Sequence, residues 1–257
     1  MSRYFIELFY KGTAYSGFQS QKNANTVQAE VANAFHVLHR REVNLVGSSR
    51  TDAGVHANQN YFHFDFDEPL DPKFIYKMNA ILPPDIVLRK LLPVAKERHC
   101  RFDAVSRDYR YFIYQSKNPF LADRAYYYPF KINEKRMQEA ASQLLQYGDF
   151  SSFSKRRTQV KSFACRLTRS EWRREADCLV YHVVANRFLR GMVKALVGTM
   201  LQVGRGKIDL AELVRIVEAR DCREADFSAP SHGLFLESVF FPKGYFEAGV
   251  NTSEGKL

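Results

Sequence analysis

The 257-residue sequence predicts an α+β protein made of two ferredoxin-like halves, each running β-α-β-β-α-β, around a central basic cleft. Three observations predict it. Segments of period-2 apolar alternation and segments of helical spacing follow one another in that order over the first hundred residues. The same order returns over the rest of the chain without obvious sequence identity. Lys and Arg also outnumber Asp and Glu by 38 to 28, a net charge of +10. The expected halves are residues 1–103 and 104–246, meeting near 95–105, with a polar tail at 247–257. A cleft between two such halves is the natural ligand site.

In the first half, Arg3–Tyr10 alternates and is rich in Tyr, Phe and Ile, the pattern of a strand. A glycine-containing loop follows, Lys11 to Gly17. Asn25 or Thr26 then caps a helix in which Val27, Val31, Phe35 and Leu38 recur at helical spacing. Val43–Ser48 reads as a short strand. Asn60–Phe66 alternates, with Phe62, Phe64 and Phe66 on one face and Tyr61, His63 and Asp65 on the other. Asp71-Pro72 supplies a cap and a first-turn proline for a helix through Met78. Ile86–Leu92 is the closing strand.

In the second half, Arg107–Gln115 is a long alternating strand, and Glu134–Tyr147 carries Met137, Ala141, Leu144 and Leu145 as a helix. Arg166–Arg174 and Cys178–Asn186 form a hairpin. Phe188–Val203 is a strongly apolar helix ending at Gly204. Asp209 caps a further helix with Leu210, Leu213, Val214 and Val217 on one face, and Leu234–Phe241 is the last strand.

Composition bounds the function. Hydrophobic residues make up 46% and charged residues 26%, a globular balance that excludes disordered and collagen-like chains. No run approaches the ~18 apolar residues of a membrane span, and Glu7 interrupts the apolar core that a secretory signal needs. The expectation is a cytoplasmic protein with no membrane association. Cys100, Cys165, Cys178 and Cys222 show no CxxC spacing, so neither a zinc ribbon nor a disulfide framework is expected. No Gly-rich dinucleotide or phosphate-loop signature is present, and no metal or organic cofactor is expected. An isoelectric point near 9.4, with 14 Tyr and 21 Phe, suits a nucleic-acid partner, with aromatic faces available to unstacked bases.

The segment Gly47 to Ala57 packs Arg50, Thr51, Asp52, Gly54 and His56 into one loop between two strands. A carboxylate beside a cation keeps its charge, which an aspartate nucleophile or base requires; an Asx-turn would instead spend Asp52 on backbone amides. Ser49-Arg50-Thr51-Asp52-Ala53-Gly54-Val55-His56 resembles the signature loop of the TruA family of tRNA pseudouridine synthases. The resemblance covers most of the chain. Tyr10 to Gln19 resembles the family's first motif, and Thr26-Val27-Gln28 its continuation. Arg107-Asp108-Tyr109-Arg110-Tyr111 resembles the tyrosine motif. Asn186 to Val193 resembles the third motif, and Gly233-Leu234-Phe235-Leu236 the closing strand.

The resemblance implies a pseudouridine-synthase-type mixed sheet and a homodimer acting on tRNA uridines 38 to 40. It implies that Asp52 is the catalytic nucleophile and that Tyr109 stacks on the target base. Arg50 would hold the flipped uridine or fill the gap it leaves. Attack by the carboxylate at C1′ and removal of a sugar proton both fit these residues. The family places arginine where this chain has Lys194, which keeps the charge but loses the bidentate fork. Arg187, Arg190 and Lys194 are expected at i, i+3 and i+7 on one helix face, binding substrate, with either Lys194 or Arg190 partnering Asp52. Lys155-Arg156-Arg157 and Arg173-Arg174, the latter at a hairpin turn, suit RNA-backbone contacts. His56 is expected to hold the loop. Two rivals remain: a phosphatase using Asp65 and Asp67 with magnesium, and a non-catalytic RNA-binding module on ferredoxin-like sheets, which would have no use for the Asp52 loop.

Overall fold

The computed structural model describes residues 1–156 and 160–246, so the expected tail at 247–257 and Arg157 lie outside the described residues. The N-terminal elements run β1 (Ser2–Tyr10), α1 (Val27–His39), β2 (Val46–Gly47), β3 (His56–Phe66), α2 (Phe74–Ile81) and β4 (Ile86–Val94). Alternation puts Ile6 and Leu8 of β1 on the helix side, where Ile6 stands opposite Phe62 and Leu8 opposite Asn60 of β3. The helices cover this side: Phe35 of α1 lies edge-on to Phe64 at 4.9 Å and 5.1 Å from Phe74 of α2. Each fully buried phenylalanine contributes roughly 1.5–3 kcal/mol. Thr26 rather than Asn25 caps α1, its hydroxyl accepting the Ala29 N–H.

Two expectations need correction here. Only Val46 and Gly47 of the expected Val43–Ser48 strand pair with β3. Helix α2 starts at Phe74, because the Asp71 carboxylate takes the Lys73 N–H and its carbonyl takes the Phe74 N–H; Pro72 sits in that turn. The face of β3 that carries Tyr61 and His63 is buried as well. Phe241 lies edge-on to Tyr61 at 5.4 Å, the Tyr61 hydroxyl donates to Glu7 at 2.9 Å, and His63 Nδ1 lies 3.2 Å from Cys100 Sγ.

The C-terminal elements are β5 (Ser106–Tyr114), β6 (Tyr126–Tyr127), α3 (Glu134–Gln143), β7 (Leu167–Glu175), β8 (Cys178–Ala185), α4 (Met192–Gly204), α5 (Leu210–Ala219) and β9 (Leu234–Phe240). Asn133 and Asp209 cap α3 and α5 through their side chains. Helix α4 begins four residues later than its apolar periodicity suggests. Gly191 adopts φ +75°, a left-handed conformation that ends one local geometry before the helix starts. Arg187 and Arg190 therefore precede the helix and share no helix face with Lys194. Arg173 and Arg174 lie within β7, not at the turn, and pair with Glu171 and Glu134.

All strands belong to one nine-stranded mixed sheet in the order β4-β1-β3-β9-β5-β8-β7, with β2 beside β3 and β6 beside β5. The two sets of strands join through a parallel pairing of β3 with β9, His56 opposite Phe235 and Ala57 opposite Leu236. The loop carrying Asp52 runs directly into His56, so the join positions it. No helix among the described residues is long and apolar enough to cross a membrane. The four cysteines are unpaired, and Cys100, Cys165 and Cys178 are buried.

Candidate active site

The loop from Ser48 to Val55 leaves β2 and is tied down at nearly every residue. Ser48 N donates to the Tyr61 carbonyl at 2.8 Å, and Phe18 N to the Thr51 carbonyl at 3.1 Å. The Thr51 hydroxyl pairs with the Tyr10 hydroxyl at 2.7 Å. Asn60, fully buried, donates to the Ser49 carbonyl at 2.9 Å and to the Tyr10 hydroxyl at 3.4 Å. Asp52 to Val55 form a turn closed by Val55 N on the Asp52 carbonyl at 3.2 Å, with Gly54 at φ +76° where a side chain would be strained. His56 closes the loop. Its Nδ1 accepts the Gly12 N–H at 3.0 Å, so Nε2 carries the proton and donates to the His232 carbonyl at 3.1 Å. Its ring stacks on Phe235 at 4.5 Å, and burial pushes its pKa down, favouring the neutral form. His56 is a structural residue.

This scaffold presents the Asp52 carboxylate unencumbered. Among the described residues no hydrogen bond reaches it, so the Asx-turn alternative does not hold. Its nearest cation is Arg190, Nε to Oδ1 3.9 Å, and the side chain is 29% exposed. An ion pair this open and this long contributes about 0–1 kcal/mol, so it biases the carboxylate without locking it.

Lys194, on the first turn of α4, is 8% exposed and donates to the Ser231 hydroxyl at 3.0 Å. Burial lowers its pKa, and the charge of Asp52 partly restores it. It acts on Asp52 through the electric field while its hydrogen bond goes to Ser231. Tyr109 of β5 is buried, its ring edge-on to Phe188 at 4.9 Å. Burial, reinforced by Tyr10 and by the charge of Asp52, pushes its phenol well above the ordinary tyrosine value. The phenol is therefore neutral near pH 7 and unsuited to act as a phenolate base.

The structure thus gathers Asp52, Arg190, Lys194 and Tyr109 at the join. Arg50 is exposed, and it and Arg187 lie close enough for their charges to depress the Arg101 guanidinium, after the larger effect of burial. Three residues unassigned in the sequence reading complete the arrangement: Ser231, Tyr10 and Asn60. Asn60 left a readable signal, since it shares the strand face of Phe62, Phe64 and Phe66 and is a polar residue directly beside that apolar row. Ser231 left none, because its partner lies 37 residues away. Asp65 of the phosphatase alternative is committed to Arg3 by two hydrogen bonds of 2.7 and 2.8 Å, which hold it below the usual carboxylate range.

Comparison with known proteins identifies the family. The family model described as tRNA pseudouridine synthase matches residues 140–242. The chain is 44% identical over 248 residues to the tRNA pseudouridine synthase A of Parabacteroides distasonis, covering 96% of this chain and 98% of that protein. It is 43% identical to the protein of that name from Porphyromonas gingivalis, covering 96% of this chain and all of that one. The Staphylococcus aureus protein of strain MRSA252 shares 35% identity over 93% of this chain and 91% of its own length. With identity at this level over nearly the whole length, the chain belongs to the TruA family of tRNA pseudouridine synthases.

Proposed function

We propose that this protein isomerises uridine to pseudouridine in the anticodon stem-loop of tRNA, at positions 38 to 40, with Asp52 as the nucleophile. The observation that carries the reading is the Asp52 carboxylate itself. A tightly bonded loop holds it, no hydrogen bond engages it among the described residues, and Arg190, Lys194 and Tyr109 surround it. Relatives named tRNA pseudouridine synthase A supply the substrate class.

The isomerisation breaks the C1′–N1 bond, turns the uracil and rejoins it through C5. It conserves every atom and is redox-neutral, so it consumes no co-substrate, oxidant or reductant. A fixed carboxylate stabilises or attacks the sugar carbon as the base departs. Lys194 and Arg190 balance its charge. Tyr109 offers a ring to the extruded base, offsetting part of the few kcal/mol that unstacking costs. Arg50 holds the flipped uridine or fills its vacancy, and Arg187 takes backbone phosphate.

Residues 1–103 and 104–246 are read as two ferredoxin-like halves lining a basic cleft. The strand orders β4-β1-β3 and β9-β5-β8-β7 on either side of the parallel join support this. The working form is a homodimer in the cytoplasm, without organic cofactor or metal.

The test is carbodiimide mapping of pseudouridine on an unmodified tRNA transcript, read as primer-extension stops. Wild type should give stops at positions 38 to 40, and Asp52→Ala none. Stops elsewhere would refute the target. Tight binding without stops would favour a non-catalytic RNA-binding module.

A further inference from the structure

The turn from Arg98 to Asp103 is among the most heavily bonded on the surface, yet it holds a phenylalanine out in water. The Arg98 carbonyl accepts from Arg3 at 2.9 Å. His99 N and the Tyr245 hydroxyl both donate to the Asp103 carboxylate, at 2.8 and 2.6 Å. Cys100 N donates to His63, and its thiol to the Val46 carbonyl at 3.1 Å. The Arg101 and Phe102 amides both point at His99 Nδ1, at 3.2 and 3.3 Å. At the apex Phe102 is 74% exposed, with one ring face backed by His99 at 4.2 Å and a 30° tilt, and the Arg101 guanidinium 5.7 Å from its centroid. A floppy loop would fold such a ring down onto the surface; this turn cannot.

The surroundings of the ring are cationic. Arg107 straps the turn to the third-motif segment, donating to the Arg101 carbonyl at 2.8 Å and to the Asn186 carbonyl at 3.1 Å. One guanidinium thus spans both backbones and sets Arg101 beside Arg187. Arg50, two residues before Asp52, adds its charge to the same place, and burial together with these two charges depresses Arg101. Among the described residues none of Arg50, Arg101 and Arg187 has a carboxylate within 4 Å, whereas Arg3, Arg173, Arg174, Arg215 and Arg223 all do. Tyr76 and Phe120 are at least as exposed as Phe102, but among the described residues no guanidinium lies over either ring. Uncompensated guanidiniums call for an anion, and a rigid exposed ring beside them calls for a flat apolar partner.

We infer that Phe102 and Arg101 form a nucleotide clamp next to the catalytic pocket. The base of an unpaired nucleotide flanking the target uridine stacks on Phe102, and its phosphate lies among Arg50, Arg101 and Arg187. This rests on the reading that RNA is the substrate, and it adds a second stacking site to the one that Tyr109 provides for the target base itself. A sugar-phosphate chain gripped at a neighbouring nucleotide cannot recoil when the target is extruded, so the clamp stabilises the flipped state.

The test uses the full chain and an unmodified tRNA transcript, with dissociation constants measured at several salt concentrations. Phe102→Leu keeps apolar bulk but removes the aromatic face, and should weaken binding about tenfold, in the range seen for losing one base–aromatic stack. Phe102→Tyr should return to within about twofold of wild type, and Tyr76→Leu, an equally exposed ring elsewhere, should bind as wild type does. Arg101→Gln should flatten the slope of log Kd against log salt by about 0.7–0.9, one phosphate contact. Wild-type binding by Phe102→Leu, failure of Phe102→Tyr to restore it, or an unchanged slope in Arg101→Gln would overturn the clamp. Turnover by the wild type on the same transcript judges the enzyme reading separately, since the clamp stands or falls on the dissociation constants.

Discussion

Residues 48–55 and residues 186–191 meet where Asp52 approaches Arg190, and they present opposite charges. The first segment is buried at Ser48, Ser49 and Thr51 and is bonded to Tyr10, Asn60, Phe18 and Tyr15. The second is anchored by the Asn186 amide oxygen, which accepts from Arg166 N and Arg187 N at 2.8 and 2.9 Å, by Arg107 on the Asn186 carbonyl, and by Leu189 and Phe188, the latter against Tyr109. Its Arg190 is exposed and its Arg187 half-buried. A carboxylate that must meet one sugar carbon has to be in place before substrate arrives, because about 1 Å of misplacement can cost on the order of 10²-fold in rate. Cations that grip phosphates act over longer distances and tolerate looseness. On the proposed mechanism, the first segment serves the reaction through its carboxylate and the second serves the ligand through its guanidiniums.

Three substitutions sharpen or break that contrast. Lys194→Ala removes a buried charge at the edge of the first segment and should lower kcat on the order of 10²-fold, typical of losing a preorganised electrostatic contact; Lys194→Arg should be tolerated. Burial disfavours the charged form of Lys194, so its proton leaves below the ordinary lysine value of 10.5. Activity should accordingly be full at neutral pH and fall as pH rises through that lowered value. In Lys194→Arg the alkaline fall should move upward, which a kcat/KM profile between pH 7 and pH 10 would read. An unchanged kcat in the Ala variant would remove Lys194 from the site.

A middle effect comes from Asn60→Ala, which leaves the Ser49 carbonyl without its buried donor. Stability should drop by about 1–3 kcal/mol in urea unfolding, and kcat should fall while KM stays near wild type. A fall in stability alone would mean that the loop does not depend on Asn60 for its catalytic geometry. The smallest effect belongs to the arginine-bearing segment. Arg187→Gln should raise Kd for tRNA a fewfold and reduce the salt slope by about 0.7–0.9, with kcat preserved under saturating tRNA. A large loss of kcat there would erase the distinction between the two segments.

Much of this was legible in the sequence because the cues were local. The cap at Asp209, the periodicity of Val27 to Phe35 and the alternation of β5 are decided by neighbours a few residues away. The start of α4 was misread because Phe188, Leu189, Met192 and Val193 keep the helical period while Gly191 breaks the backbone between them. The second buried face of β3 was invisible because Phe241 and Tyr245, which help cover it, come from some 180 residues downstream. The same holds at the site. Asp52, Arg50 and Tyr109 stand in recognisable motifs, but the contact between Lys194 and Ser231 depends on a tertiary meeting that no spacing encodes. Helix α4 brings Lys194 to that meeting while Arg190 approaches Asp52 from outside the helix, dividing between two cations a partnership the sequence could only leave open.

The most direct test of the contrast is Asp52→Asn, which keeps the shape of the side chain and removes its charge. Its single-turnover rate and its Kd should be measured on the same tRNA transcript as wild type. The account predicts a rate loss of at least about 10³-fold with Kd within a fewfold of wild type, since one carboxylate contributes little to binding a polyanion. A rate within tenfold of wild type, or a collapse of binding that accounts for the lost rate, would contradict it.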